Sequence, residues 1–270
     1  MFQLGRRAIL LVYAAIIVVP LIVVFAGSLK TLQQLFDNPF GLPTAPAWDN
    51  YTTVLREEDL GRAFLNSVLV TACSVTLTLF LCSLTAFAIA RIPGWRGHLL
   101  YGFIVVGMAI PAQANMIPQY VLFDRLGLLN SLVGLVLIQV VVTAPVAVFI
   151  LAGFMRTLPR ELFEAAAVDG TGPWRTYRSI VLPLSAPSLS ATGIFLCVMH
   201  WNDLLYPLLF ISDPSKQTLP LALLNFRGEF LTNYPLLFSG VIIASAPIVV
   251  AYVFLQRFFV AGMTAGSVKA

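Results

Sequence analysis

Residues 161–184 read ELFEAAAVDGTGPWRTYRSIVLPL, a polar stretch with Gly170, Gly172 and Pro173 at its middle. Between Arg156 and Arg178 seven of 23 residues are charged, yet the whole 270-residue chain is 59% hydrophobic and only 10% charged. The stretch reads as two short helices about a turn. Pro159 suits a first helical turn, where its missing N–H has no intrahelical partner, so Thr157 or Leu158 is the expected N-cap. Glu161 and Glu164 then face the positive end of the helix dipole, and Arg160 with Glu164 makes an i, i+4 pair. Gly170 is the natural C′ residue. Thr171 is expected to cap a second helix that begins near Pro173 and stops before Leu182-Pro183. The first helix should present Phe163, Ala166 and Ala167 on one side, and Glu161, Glu164 and Ala165 on another.

Outward from this elbow the chain is bilayer-like, with 28 charged residues in 270 (16 basic, 12 acidic) and a mean hydropathy of +0.90. Six stretches lack Asp, Glu, Lys and Arg for about the length a helix needs to cross some 30 Å of hydrocarbon. They are 9–29, 64–90, 99–118, 132–154, 183–202 and 236–255, the fifth continuing through Asp203 to about Ile211. Such runs exceed strand lengths and lack the alternation of a lipid-facing barrel, so the expected class is all-α and polytopic. The first run follows Arg6 and Arg7 and ends near a small-residue site at Ala26, as a signal peptide would. Its apolar length is too great for that reading, and a retained helix is expected.

Basic residues set the orientation. With both termini cytoplasmic, the inner segments carry Arg6, Arg7, Arg91, Arg96, Arg156, Arg160, Arg175, Arg178, Arg257 and Lys269, ten basic residues against the acids Glu161, Glu164 and Asp169. The outer segments carry six basic residues against eight acids. The elbow is therefore placed in the cytoplasm, and the net charge of +4 needs no nucleic-acid partner.

Residues 1–63 divide into the first span and an outer loop, with Pro39, Pro43, Pro46 and the acidic run Glu57-Glu58-Asp59, expected to be structured around one short helix. Residues 64–270 form a five-span body that contains the elbow loop, 155–182. Within it, RIPGWRGH (91–98) reads as a tight basic turn. Prolines within or at the ends of spans, at Pro20, Pro111, Pro118, Pro145, Pro187, Pro207 and Pro247, each remove a backbone hydrogen bond and kink a helix. Bent helices enclose cavities, which suits transport. Cys73, Cys82 and Cys197 all fall inside spans and read as packing residues; Asn50-Tyr51-Thr52 is read as an accidental sequon.

Nucleotide and enzyme chemistry find no support. The three lysines follow Leu29, Ser215 and Val268, so the Gly-Lys step of a P-loop does not occur; neither does HExxH or GxSxG. No cofactor and no metal is expected in this chain.

Two short helices are marginal alone and must pack on something, either their own bundle or a cytoplasmic partner. Physical reading leaves both open. The spacing Glu164-Ala165-Ala166, three residues, Gly170, nine residues, Ile180, one residue, Leu182-Pro183 resembles the cytoplasmic EAA loop of bacterial ABC importer permeases. MIPQYVLFDRLGLLNSLVGLVL (116–137), WNDLLYPLLF (201–210), the ending LQRFFVAGMTAGSVKA (255–270), NSVLVT (66–71) and SLKT (28–31) resemble the maltose-type branch, which carries sugars, oligosaccharides, polyols and glycerol phosphate.

That resemblance implies a type I ABC importer permease fold with six transmembrane helices. It also implies a coupling helix seated in a cleft of an ATPase subunit. Carried over residue by residue, Glu161, Phe163, Glu164, Ala165, Ala166, Asp169 and Gly170 become the coupling residues. The implied partners are a second homologous permease, two ATPase subunits holding ATP and Mg, an extracytoplasmic solute-binding protein, the carbohydrate and membrane lipid. The implied location is the cytoplasmic (inner) cell membrane.

His200-Trp201-Asn202-Asp203 is the second unusual stretch, because ionisable groups inside a span are costly unless they pair or line a wet path. His200 and Asp203, at i, i+3, are expected to lie within reach of each other. Asp203 can cap or bond neighbouring helices. Alternatively Trp201 stacks on a sugar face while Asn202 and Asp203 bond hydroxyls, or Asp203 and His200 relay protons in a secondary transporter, the rival function from another class.

Overall fold

The computed structural model describes residues 2–56, 59–226 and 232–265; Glu57, Glu58, Arg227, Lys269 and the rest of 266–270 lie outside the described residues, as do the side chains of 2–4, 8, 251, 252 and 254–265. The helices in chain order are α1 (Phe2–Ser28), α2 (Leu32–Asp37), α3 (Asp49–Arg56), α4 (Leu60–Arg91), α5 (Gly94–Val105), α6 (Met116–Arg125), α7 (Leu132–Met155), α8 (Arg160–Val168), α9 (Pro173–Thr176), α10 (Leu182–Leu184), α11 (Ala186–Trp201), α12 (Leu205–Phe210), α13 (Leu219–Ala222) and α14 (Tyr234–Ala265). They form two compact units, Met1–Leu65 with Gln217–Val250, and Asn66–Lys216 with Ala251–Ala270.

Three of the six expected spans are single helices long and apolar enough to cross a bilayer, in α1, α4 and α7. Two others are broken. Gly94–Ala109 meets Ala112–Arg125 at 89°, and Pro173–Leu184 meets Ala186–Trp201 at 75°. The first break has a local cause: Ile110 is extended (φ −89°, ψ 116°), the conformation that the ring of Pro111 imposes on the residue before it. The second falls at Ser185, just before Ala186-Pro187 starts a new helix. The sixth, residues 234–250 of α14, is a shorter apolar helix over its fully described part. By contrast Pro20 and Pro145 sit inside uninterrupted α1 and α7. Room is made beside Pro145 by Gly107, where a Cβ would lie 3.0 Å from the proline ring.

In the first unit the outer loop contains two short helices, α2 and α3, where one was expected. α2 is closed by a capping box between Thr31 and Gln34. Buried Lys30 donates from Nζ to Asn38 O (2.7 Å) and Pro39 O (3.3 Å), and Asn50 Nδ2 donates to Ser28 O (2.8 Å) and Lys30 O (2.9 Å). The amide of the Asn-Tyr-Thr sequon thus closes the end of α1. In the second unit the core joins Cys82, Ala86, Phe87 and Ile89 of α4 to Ala147, Val148, Leu151, Ala152 and Met155 of α7, with Tyr177, Val181 and Leu196. Small residues at Cys82 and Ala86 let the helices approach closely, the packing that holds apolar helices together where lipid is equally apolar.

Candidate functional site

The elbow begins where α7 ends. Thr157 Oγ1 donates to Phe154 O (2.8 Å), so it finishes α7 and does not cap α8. The N-cap of α8 is Pro159 itself (φ −56°, ψ 136°), so the helix starts one or two residues later than the sequence suggested. At the other end Gly170 N bonds Ala167 O (3.1 Å) and Thr171 N bonds Ala166 O (3.0 Å), a Schellman closure, with Gly170 at φ +68° as expected of a C′ glycine.

Thr171 does not cap the second helix. Its hydroxyl donates back to Ala166 O (2.8 Å) and meets Thr176 Oγ1 (3.1 Å), tying α9 to the end of α8, while Gly172 is the N-cap of α9. Nor does the second helix stop before Leu182-Pro183. It passes through a π turn at Tyr177–Val181 and continues to Leu184. The Tyr177 hydroxyl lies 2.8 Å from Ser83 Oγ on α4, and its ring packs between Trp174 (5.5 Å) and Phe87 (5.4 Å).

The expected faces of α8 need one correction. Phe163 and Ala166 turn inward, Phe163 half-buried against the α4–α7 core and Ala166 at 3% exposure, but Ala167 is exposed. The outer face is Glu161, Glu164, Ala165 and Val168, at i, i+3, i+4 and i+7, with Asp169 and Gly170 beyond it. Val168 is 88% exposed, and Trp174 projects beside the turn. Neither stood out in the sequence, although an apolar residue between Ala167 and Asp169 at the tip of a polar loop was a readable signal.

The intramembrane stretch is assembled by α7. Asp203 Oδ2 accepts from Gln139 Nε2 (3.1 Å), and Oδ1 accepts from the N–H groups of Leu205 (3.1 Å) and Tyr206 (3.4 Å), closing the start of α12. His200 Nε2 lies 3.2 Å from Thr143 Oγ1, one helical turn along from Gln139. The side chains of His200 and Asp203 are therefore engaged separately by α7 and make no ion pair. Tyr206 donates to Gln119 Oε1 (3.1 Å), which joins α12 to α6. Trp201 is 6% exposed, whereas Asn202 is exposed and donates to Val198 O (2.8 Å) on its own helix. Gln139 Oε1 and His200 Nδ1 are buried without a partner. Sequence reading missed Gln139 and Thr143; an amide inside a span free of charge was the available clue.

The profile of the binding-protein-dependent transport system inner membrane component family matches residues 64–265. The chain belongs to this family. Among similar permeases is the multiple sugar-binding transport system permease protein MsmG of Streptococcus mutans, 32% identical over 98% of this chain and 96% of that one. Another is the melibiose/raffinose/stachyose import permease protein MelC of Bacillus subtilis, 31% identical over 93% and 91%. A crystal structure of a bacterial ABC transporter involved in import of the acidic polysaccharide alginate shares the permease fold, with a TM-score of 0.86 at 18% identity over 96% of both chains. The chain is thus a transport component and a multi-pass protein of the inner membrane. The proton-coupled alternative built on Asp203 and His200 gains nothing from these likenesses.

Proposed function

We propose that this chain is the transmembrane subunit of an ABC importer for a carbohydrate, an oligosaccharide, sugar, polyol or glycerol phosphate. It pairs with a second homologous permease, receives substrate from an extracytoplasmic solute-binding protein, and is driven by two ATPase subunits that hold ATP and Mg. Both termini lie in the cytoplasm. Residues 64–270 are the permease core and 1–63 an N-terminal helix with its outer loop, a division supported by the start of the family match at residue 64.

One observation carries the coupling role: α8 is anchored by Phe163 and Ala166 and closed by a Schellman turn, yet leaves Glu161, Glu164, Ala165, Asp169 and Gly170 outward with Val168 among them. A rigid, bare helix face on a polar loop is an unfilled half of an interface. Glu164 and Asp169 offer acceptors to donors of the ATPase, and Val168 an apolar knob. Phe163 and Ala166 act by fixing the face in place. In the membrane, Asn202 is the accessible member of the Trp201-Asn202-Asp203 path, and Asp203 sets its position by capping α12.

Gly170→Val tests the reading. No atom lies within 4 Å of a Cβ at Gly170, so the change acts through its positive φ, a strain of about 1–2 kcal/mol for an L side chain. The expected result is a normal level in the membrane with sugar uptake reduced about tenfold or more, the strain bearing on the turn that the interface needs. Uptake at the wild-type rate would remove the coupling role from this loop.

A further inference from the structure

The basic turn at 91–98 joins α4 to α5. Arg91 and Arg96 are exposed, and Arg156 of the neighbouring α7 end joins them by donating to Gly97 O (3.2 Å). Each guanidinium lies over an aromatic ring: Arg91 over Phe87 (5.5 Å), Arg96 over Trp95 (5.9 Å) and Arg156 over Tyr101 (4.2 Å). Among the described residues none of the three forms an ion pair. Three cations held by ring faces therefore stand on one turn and on the helix end bonded to it, and none is paired with a carboxylate among the described residues.

The backbone there is fixed. Gly94 has φ +70°, His98 Nδ1 lies 2.9 Å from Gly94 O, and a Cβ on Gly97 would collide with Ile92 O. From this turn one face of α5 runs on as Trp95, Leu99 and Phe103, at i, i+4 and i+8, and continues to Val106 at the start of the 3-10 turn that follows. All four are exposed, Trp95 at 70% and Phe103 at 79%. An indole beside arginines at the mouth of an apolar rail is the arrangement expected at a membrane–water boundary.

We infer that this turn and the α5 rail bind an anionic phospholipid. The headgroup phosphate sits among Arg91, Arg96 and Arg156, and an acyl chain lies along Leu99, Phe103 and Val106. Charge complementarity selects the lipid: the arginine cluster lacks a carboxylate, and the rail that continues from it accepts hydrocarbon, which a free phosphate would leave uncovered. The orientation proposed above supplies the lipid from the cytoplasmic leaflet, but the binding itself does not depend on that reading.

The test uses the full chain purified with its co-assembled subunits, in nanodiscs of equal parts phosphatidylglycerol and phosphatidylcholine. Retained lipid is counted by native mass spectrometry after detergent exchange. Wild type should keep phosphatidylglycerol preferentially. R91Q/R96Q should weaken that retention roughly twenty-five-fold, about fivefold per arginine, whereas R91K/R96K should keep most of it. R125Q, on the opposite side of the membrane, should change nothing. A photo-crosslinking group at position 95 should label lipid, and this keeps the question decidable if the glutamine pair fails to insert. Equal retention of both lipids, unchanged retention in R91Q/R96Q, or a crosslink from position 95 to another subunit would overturn the site.

Discussion

Helix α8 and the Gln139–Asp203 cluster both place polar groups in an apolar protein, but they satisfy them in opposite ways. The elbow closes its backbone within itself. Every bond at its Gly170 turn joins residues within five positions of each other, and its carboxylates are left to water. The intramembrane cluster closes through distant partners: Asp203 reaches Gln139, 64 residues away, and His200 reaches Thr143, 57 away. A locally closed element can lose its outer side chains and keep its shape. A cluster closed across helices loses shape when the group that joins several of its elements goes, here Asp203.

Substitutions can break that contrast, and the largest effect should come from Asp203→Leu. It strips acceptors from Gln139 and from two N–H groups of α12, so thermal unfolding of the purified protein should register a loss of about 3 kcal/mol, with uptake lost alongside. An unchanged melting temperature would mean that the cluster is not what holds the bent span. Next comes a pair on the elbow. Ala166→Leu overfills a buried position and should cost about 2 kcal/mol, whereas Ala165→Leu, one residue along and exposed, should leave the melting temperature alone and still reduce uptake. If both variants melt alike, the inward and outward faces of α8 are not distinct. Smallest is Gln139→Leu. It removes one bond to Asp203 together with the unpartnered Gln139 Oε1, and the two changes offset, leaving about 1 kcal/mol or less by the same melting assay.

The same contrast explains what was legible in the sequence. Pro159, Gly170 and Pro173 constrain their own backbones, so the turn, its handedness and the two helices around it followed from residue types alone. The inward direction of α8 did not. Ala166 and Ala167 are chemically identical, and only the position of the α4–α7 core decides which is covered. Likewise Pro111 announced a kink, but its ring sets the conformation of Ile110 and not the 89° between the flanking segments. Helical spacing puts His200 and Asp203 within reach of each other, and the Asp203 N–H does bond His200 O (3.3 Å). Their side chains make no ion pair, since α7 offers each of them a partner that no count along the chain could locate.

The π turn at Tyr177–Val181 gives the elbow a mechanical property. A π turn holds one residue more than an α turn, and each residue of an α-helix contributes about 1.5 Å of rise and about 100° of rotation. Winding it back into α geometry would therefore screw everything beyond it forward by one such step, as a thread advances in a nut. The Tyr177 hydroxyl, 2.8 Å from Ser83 Oγ on α4, would have to leave that partner for the step to be taken.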